Sequence, residues 1–90
     1  MPAEENRPVS HPFTKNLIQK NLVLYNDDVN TFDFVIQSLI EICNHEPVQA
    51  EQCALIAHYT GKCAVKSGDY DEIKPLFEEM AVRGLTVAIE

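Results

Sequence analysis

Leu22-Val23-Leu24-Tyr25 form an unbroken apolar run that stops abruptly at Asn26-Asp27-Asp28, and a stripe of helically spaced apolar residues opens at Phe32. A run of that kind suits a strand held inside a sheet. Phe32, Val35, Ile36, Leu39, Ile40 and Cys43 follow the i, i+3, i+4, i+7, i+8 spacing that buries one face of a helix. The chain must therefore pass from strand to helix across residues 26–30. Such a corner needs one or two Asn or Asp residues, whose side chains bond the nearby backbone. Three in a row leave acceptors over. Asn30 is placed to cap the helix, and Asp33 in the first turn suits the helix dipole.

The rest of the chain reads in the same way. Residues 1–16 hold Pro2, Pro8 and Pro12 among polar residues without a period, the pattern of a disordered tail. The first strand spans residues 17–25. The first helix stops near Asn44-His45, and Pro47 suits the first turn of a second. Ala50, Cys53, Ala54, Ala57 and His58 share one face of that helix, and Gly61 is its expected stop. A short strand covers residues 63–66. Asp69 with Glu72 three residues on marks the start of a third helix, with Ile73, Leu76, Phe77 and Met80 on its inner face. Pro75 must lie in its first turn or kink it. Gly84 ends the helix, and alternating Leu85, Val87 and Ile89 give a last strand over 85–89. The order β-α-α-β-α-β predicts a two-layer α+β domain, a three-stranded antiparallel sheet against three helices.

Ninety residues make one domain, near the lower size for a self-sufficient core. No apolar run approaches a membrane span and no signal-peptide pattern opens the chain, so a cytoplasmic place is expected. Seven Lys+Arg against 14 Asp+Glu give a net charge of -7. That balance argues against nucleic acid, which needs a basic patch. It fits a cationic partner, or solubility alone.

Metal and enzyme chemistry find little footing. His45, Cys53, His58 and Cys63 have seven, four and four residues between them, and no close Cys pair starts a zinc site. Counted from Asp28, a calcium loop would carry Asp33 where Gly is required and Leu39 where Glu is required. No cofactor motif is present. Asp27 and Asp28 are adjacent, and adjacent side chains point apart, which weakens an acid–base pair. Three cysteines without Cys-x-x-Cys read as buried thiols. A small Cys–His hydrolase using Cys53 or Cys63 is the enzymatic alternative.

A binding pocket fits better. Asn26, Asp27 and Asp28 offer acceptors at one corner, and a neutral His58 adds another if the second helix crosses the first. An ammonium has three donors and no acceptor. Phe32, Val35, Ala54 and Ala57 can form an apolar cavity beside it. The ligand so described is the α-amino end of a peptide with a large apolar first residue. Plain turn and cap chemistry at 26–28, and an ordinary helix-end histidine at 58, is the simpler reading.

These same residues carry a family resemblance. The strand–Asn26-Asp27-Asp28–helix segment and the later His58-Tyr59-Thr60-Gly61-Lys62 resemble ClpS, the adaptor of the Clp protease for N-end-rule substrates, over residues 17–67 and more loosely over 68–90. The resemblance implies a non-catalytic monomer. It would bind proteins beginning with Leu, Phe, Tyr or Trp and pass them to a ClpA- or ClpC-type AAA+ unfoldase. Asn26, Asp27 and His58 would hold the α-amino group, with Asp28 beside them. Asn30, Phe32, Val35, Ala54, Ala57 and Leu85 would line the side-chain pocket. A general interaction domain of the same fold, blind to N-termini, is the alternative.

The chain departs from the family pattern in places. Thr-Pro-Met commonly follows the Asp pair in the family; here Asn30, Thr31 and Phe32 do. Ala54 stands where the family often has a Met that keeps out β-branched residues. Loss of that volume predicts acceptance of Ile and Val, since a methylene in a pocket is worth roughly 1–3 kcal/mol. The family's contacts to the unfoldase are not legible between Gly68 and Arg83.

Overall fold

The apolar run at 22–25 becomes the middle strand of the sheet. In a computed structural model, which describes residues 18–90, the order is β1 (Lys20–Tyr25), α1 (Phe32–Cys43), α2 (Pro47–Thr60), β2 (Lys62–Gly68), α3 (Tyr70–Val82) and β3 (Val87–Ile89). The sheet order is β2-β1-β3, and both pairings are antiparallel. This is the α+β arrangement expected from the sequence. The tail expected over 1–16 lies outside the described residues, as does Leu17, and the first strand begins at Lys20, later than the expected 17, because Ile18 and Gln19 do not join the ladder.

One helix start differs from expectation. The cap of α1 is Thr31, whose Oγ1 accepts from the Phe34 N–H at 3.1 Å. Asn30 stands one residue too early, and its side chain is turned back to donate from Nδ2 to Asp27 and the Gly84 carbonyl. The third helix does begin on Asp69, whose Oδ1 accepts from the Glu72 N–H at 2.9 Å. It starts as early as Tyr70, so Pro75 falls in its second turn instead of its first. There a proline offers no N–H to the carbonyl one turn back.

Helix ends follow the sequence closely. Asn44 closes α1 in the left-handed conformation at φ 61, which Asn tolerates. Pro47 is the first residue of α2, and Gly61 closes it at φ 101, a backbone shape that a side chain would strain. Ala50, Ala54 and Ala57 are buried along one side of α2. Small side chains there let α2 approach α1 and β2 closely.

The core gathers Leu22 and Leu24 of β1, Leu39, Ile42 and Cys43 of α1, Ala50 and Ala57 of α2, Val65, Ile73, Met80 and Leu85. One irregularity breaks the ladder. Leu22 pairs with Lys66 and Val23 with Ala64, so Val65 has no partner of its own and forms a bulge. Its carbonyl accepts from the buried Nε2 of His45 at 2.7 Å. A side chain from the α1–α2 connection thus replaces the missing ladder bond.

Candidate functional site

Two backbone bonds bring the separate sequence signals together. The Asn26 N–H donates to the Gly61 carbonyl at 2.9 Å, and Tyr25 pairs with Lys62 at the start of β2. The end of β1 therefore lies against the end of α2. His58 and the Asn26-Asp27-Asp28 corner become neighbours for that reason.

Between them opens a cavity of about 440 Å³, within the usual range for small-molecule sites. It is lined by Leu24, Tyr25, Asn26, Asp27, Asp28, Asn30, Phe32, Val35, Ala54, Leu55, Ala57, His58 and Tyr59. The structure thus unites nine of the residues singled out from the sequence: Asn26, Asp27, Asp28, Asn30, Phe32, Val35, Ala54, Ala57 and His58. Leu85 is not among the lining residues. It lies just before β3 and is buried in the main core cluster. Leu24, Leu55 and Tyr59 line the cavity and were not anticipated. For Leu55 and Tyr59 the available signal was their position beside Ala54 and His58 on the same helix.

The polar corner divides into two parts. Asp27 bonds inward. Its Oδ1 accepts from the Val29 and Asn30 N–H groups, both at 2.9 Å. Its Oδ2 accepts from Asn30 Nδ2 at 3.0 Å and from Thr86 Oγ1 at 2.8 Å. A carboxylate has about four acceptor positions, and all four are taken. The Asn30 N–H, then its side chain, Thr86 and the Val29 N–H outweigh partial burial and pull the Asp27 carboxyl down to about 2. By contrast, the side chains of Asn26, Asp28 and His58 are exposed and make no hydrogen bond among the described residues. Their acceptor atoms, unpaired among those residues, lie at the edge of the cavity. Tyr59 sets its ring edge-on to His58, with centroids 4.9 Å apart and planes at 76°.

No group of three His, Cys, Asp or Glu side chains among the described residues could hold a metal ion. No described helix is long and apolar enough to cross a membrane. Burial, then the neighbouring Cys63, push the Cys53 thiol up to about 11. Burial does the same for Cys43. Neither thiol has the environment of an activated nucleophile.

Comparison with known proteins decides the family. Residues 18–87 match the profile of the ATP-dependent Clp protease adaptor protein ClpS. The chain belongs to the ClpS family. A curated relative, the ATP-dependent Clp protease adapter protein ClpS of Nitratidesulfovibrio vulgaris (strain Miyazaki F), is 34% identical over 55 residues. That stretch is 59% of this chain and 55% of the relative, so the match spans about half of the relative's length. The fold is that of a solved structure, Agrobacterium tumefaciens ClpS2 bound to L-phenylalaninamide. Its TM-score is 0.69 at 20% identity, over 80% of this chain and 94% of that one. Membership in ClpS therefore rests on the sequence match, and the shared architecture on the structure.

Proposed function

We propose that this protein is a cytoplasmic, non-catalytic adaptor for free protein N-termini. It binds chains whose first residue is Leu, Phe, Tyr or Trp, and delivers them to a Clp-family AAA+ unfoldase of the ClpA or ClpC type. The observation that carries this reading is the junction of unoccupied acceptors with an apolar cavity. Asn26, Asp28 and His58 stand free at one edge, and Val35, Ala54, Leu55 and Ala57 line the floor. The ligand in the Agrobacterium structure, L-phenylalaninamide, has the matching parts: a free amine beside an aromatic side chain.

The chemistry follows. Asn26 Oδ1, an Asp28 carboxylate oxygen and a ring nitrogen of neutral His58 would accept the three ammonium N–H groups. Asp27, whose acceptors are filled, adds negative charge and shapes the loop. This moves the direct role expected for Asp27 to its neighbour. Phe32 and Asn30 would stand at the pocket wall. Burying a Leu- or Phe-sized side chain contributes about 1.5–3 kcal/mol. Acetylation removes the charge and leaves the acceptors unpaired, so it should abolish binding. Ala54 leaves room that extends acceptance to Ile and Val.

The deciding experiment is fluorescence anisotropy with three labelled peptides: one beginning with Phe, the same peptide acetylated, and one beginning with Ser. Binding of the free Phe peptide alone, lost in Asp28→Ala and His58→Ala, supports the adaptor. Equal binding, or none, to all three would leave an interaction domain without N-terminal recognition.

A further inference from the structure

We infer that Thr86 is a positioning residue for the acceptor corner: its hydroxyl locks Asp27 and so holds the loop that presents Asn26 and Asp28. Thr86 does not line the cavity. It lies just before β3, 59 residues along the chain from Asp27. Its Oγ1 nevertheless donates to Asp27 Oδ2 at 2.8 Å, while its own carbonyl accepts from the Tyr25 N–H at 2.8 Å. One residue therefore grips both the last residue of β1 and the carboxylate at the centre of the corner loop.

The loop has few other restraints. The Asn26 N–H is held by Gly61 on one side. Beyond Asp27, the Asn30 side chain reaches the Gly84 carbonyl at 3.0 Å. Val29 is tied to the body of the protein through Asp27, and Asn30 through both Asp27 and Gly84. The Asp27 side chain has two rotatable bonds, and a loop fixed only to itself can swing with it. Thr86 and Gly84 supply contacts from outside the loop. Thr86 makes its contact through its own side chain, so a substitution there can remove it without altering any residue of the loop. Asn26 and Asp28 flank Asp27 in sequence, so the direction in which they point depends on where that carboxylate is fixed.

This inference rests on the proposed function for its binding arm, and its test separates the two. Thr86→Val keeps the shape and the backbone bond to Tyr25 but deletes the hydroxyl. Thr86→Ser keeps the hydroxyl. Each variant is measured by anisotropy with the free and the acetylated Phe peptide, by thermal melting, and by amide hydrogen exchange. Thr86→Val is expected to weaken the free Phe peptide roughly fivefold or more, a loss on the scale of one ordinary hydrogen bond. The amides of Val29 and Asn30 should exchange faster while those of β1 and α2 do not. Thr86→Ser should bind like the natural protein.

Unchanged affinity in Thr86→Val, or a loss that Thr86→Ser shares, overturns the inference. So does faster exchange spread across the whole sheet, which would mark general destabilisation. If the natural protein binds none of the peptides, the proposed function fails on its own. The exchange at Val29 and Asn30 then still decides whether Thr86 holds the loop.

Discussion

His45 Nε2 donates to the Val65 carbonyl at 2.7 Å, joining the α1–α2 connection to the bulge in β2. The pair is buried, and only 6% of His45 is exposed. His45→Ala would leave that carbonyl without a partner and open a cavity. The expected cost is about 1–3 kcal/mol, the penalty of an unsatisfied buried group. Urea unfolding at neutral pH should show a lower midpoint with an unchanged slope. A midpoint equal to that of the natural protein would mean water replaces the ring.

The Asp27 carboxyl is held at about 2, below its ordinary 3.8. The ionised form is therefore favoured by folding. Its contribution is complete above the ordinary value and fades as pH falls from there toward 2. Asp27→Asn should unfold more easily at pH 7, by about 1–2 kcal/mol after allowance for partial solvent screening. The gap between the two proteins should narrow between pH 4 and pH 2. Urea midpoints across that range check it, and a constant gap would contradict the bonding described.

Ala54 is buried at the cavity wall, where a longer side chain would enter the cavity. On the proposed function, Ala54→Met should exclude Ile and Val from the first position while sparing Leu or Phe. A competition assay should show roughly tenfold or greater selectivity, the weight of about one methylene. Equal loss for all peptides would mean that methionine blocks the site outright.

Cys43 and Cys53 both have thiols pushed up to about 11, chiefly by burial. Iodoacetamide at pH 7.5 should modify them slowly in the folded protein and rapidly in urea. The rate in the folded protein should climb as pH is raised through 9 and beyond, because only the thiolate reacts. Fast alkylation of Cys53 at neutral pH would revive a nucleophilic role.

Local chemistry explains how far the sequence could be read. The β1 run, the α1 stripe, Pro47 and Gly61 each act within a few residues, and each produced the expected element. The cavity was legible for a similar reason, since its residues sit on two helices and one corner. The failures involve distant partners. Thr31, one residue on, is the cap, while Asn30 is turned toward Asp27 and Gly84 by bonds from its Nδ2. Leu85 was drawn to the core by packing that no short window contains. The bulge at Val65 has no residue signature, so the role of His45 could not be seen. The filled acceptors of Asp27 depend on Thr86, which lies beyond every local pattern at the corner.

All cavity-lining residues fall between Leu24 and Tyr59, yet the loop at their edge is tied to Gly84 and Thr86. The cavity wall and the fastening of its rim are thus supplied by separate stretches of the sequence. A change near Gly84 or Thr86 would therefore alter the rim while leaving every residue of the cavity wall in place.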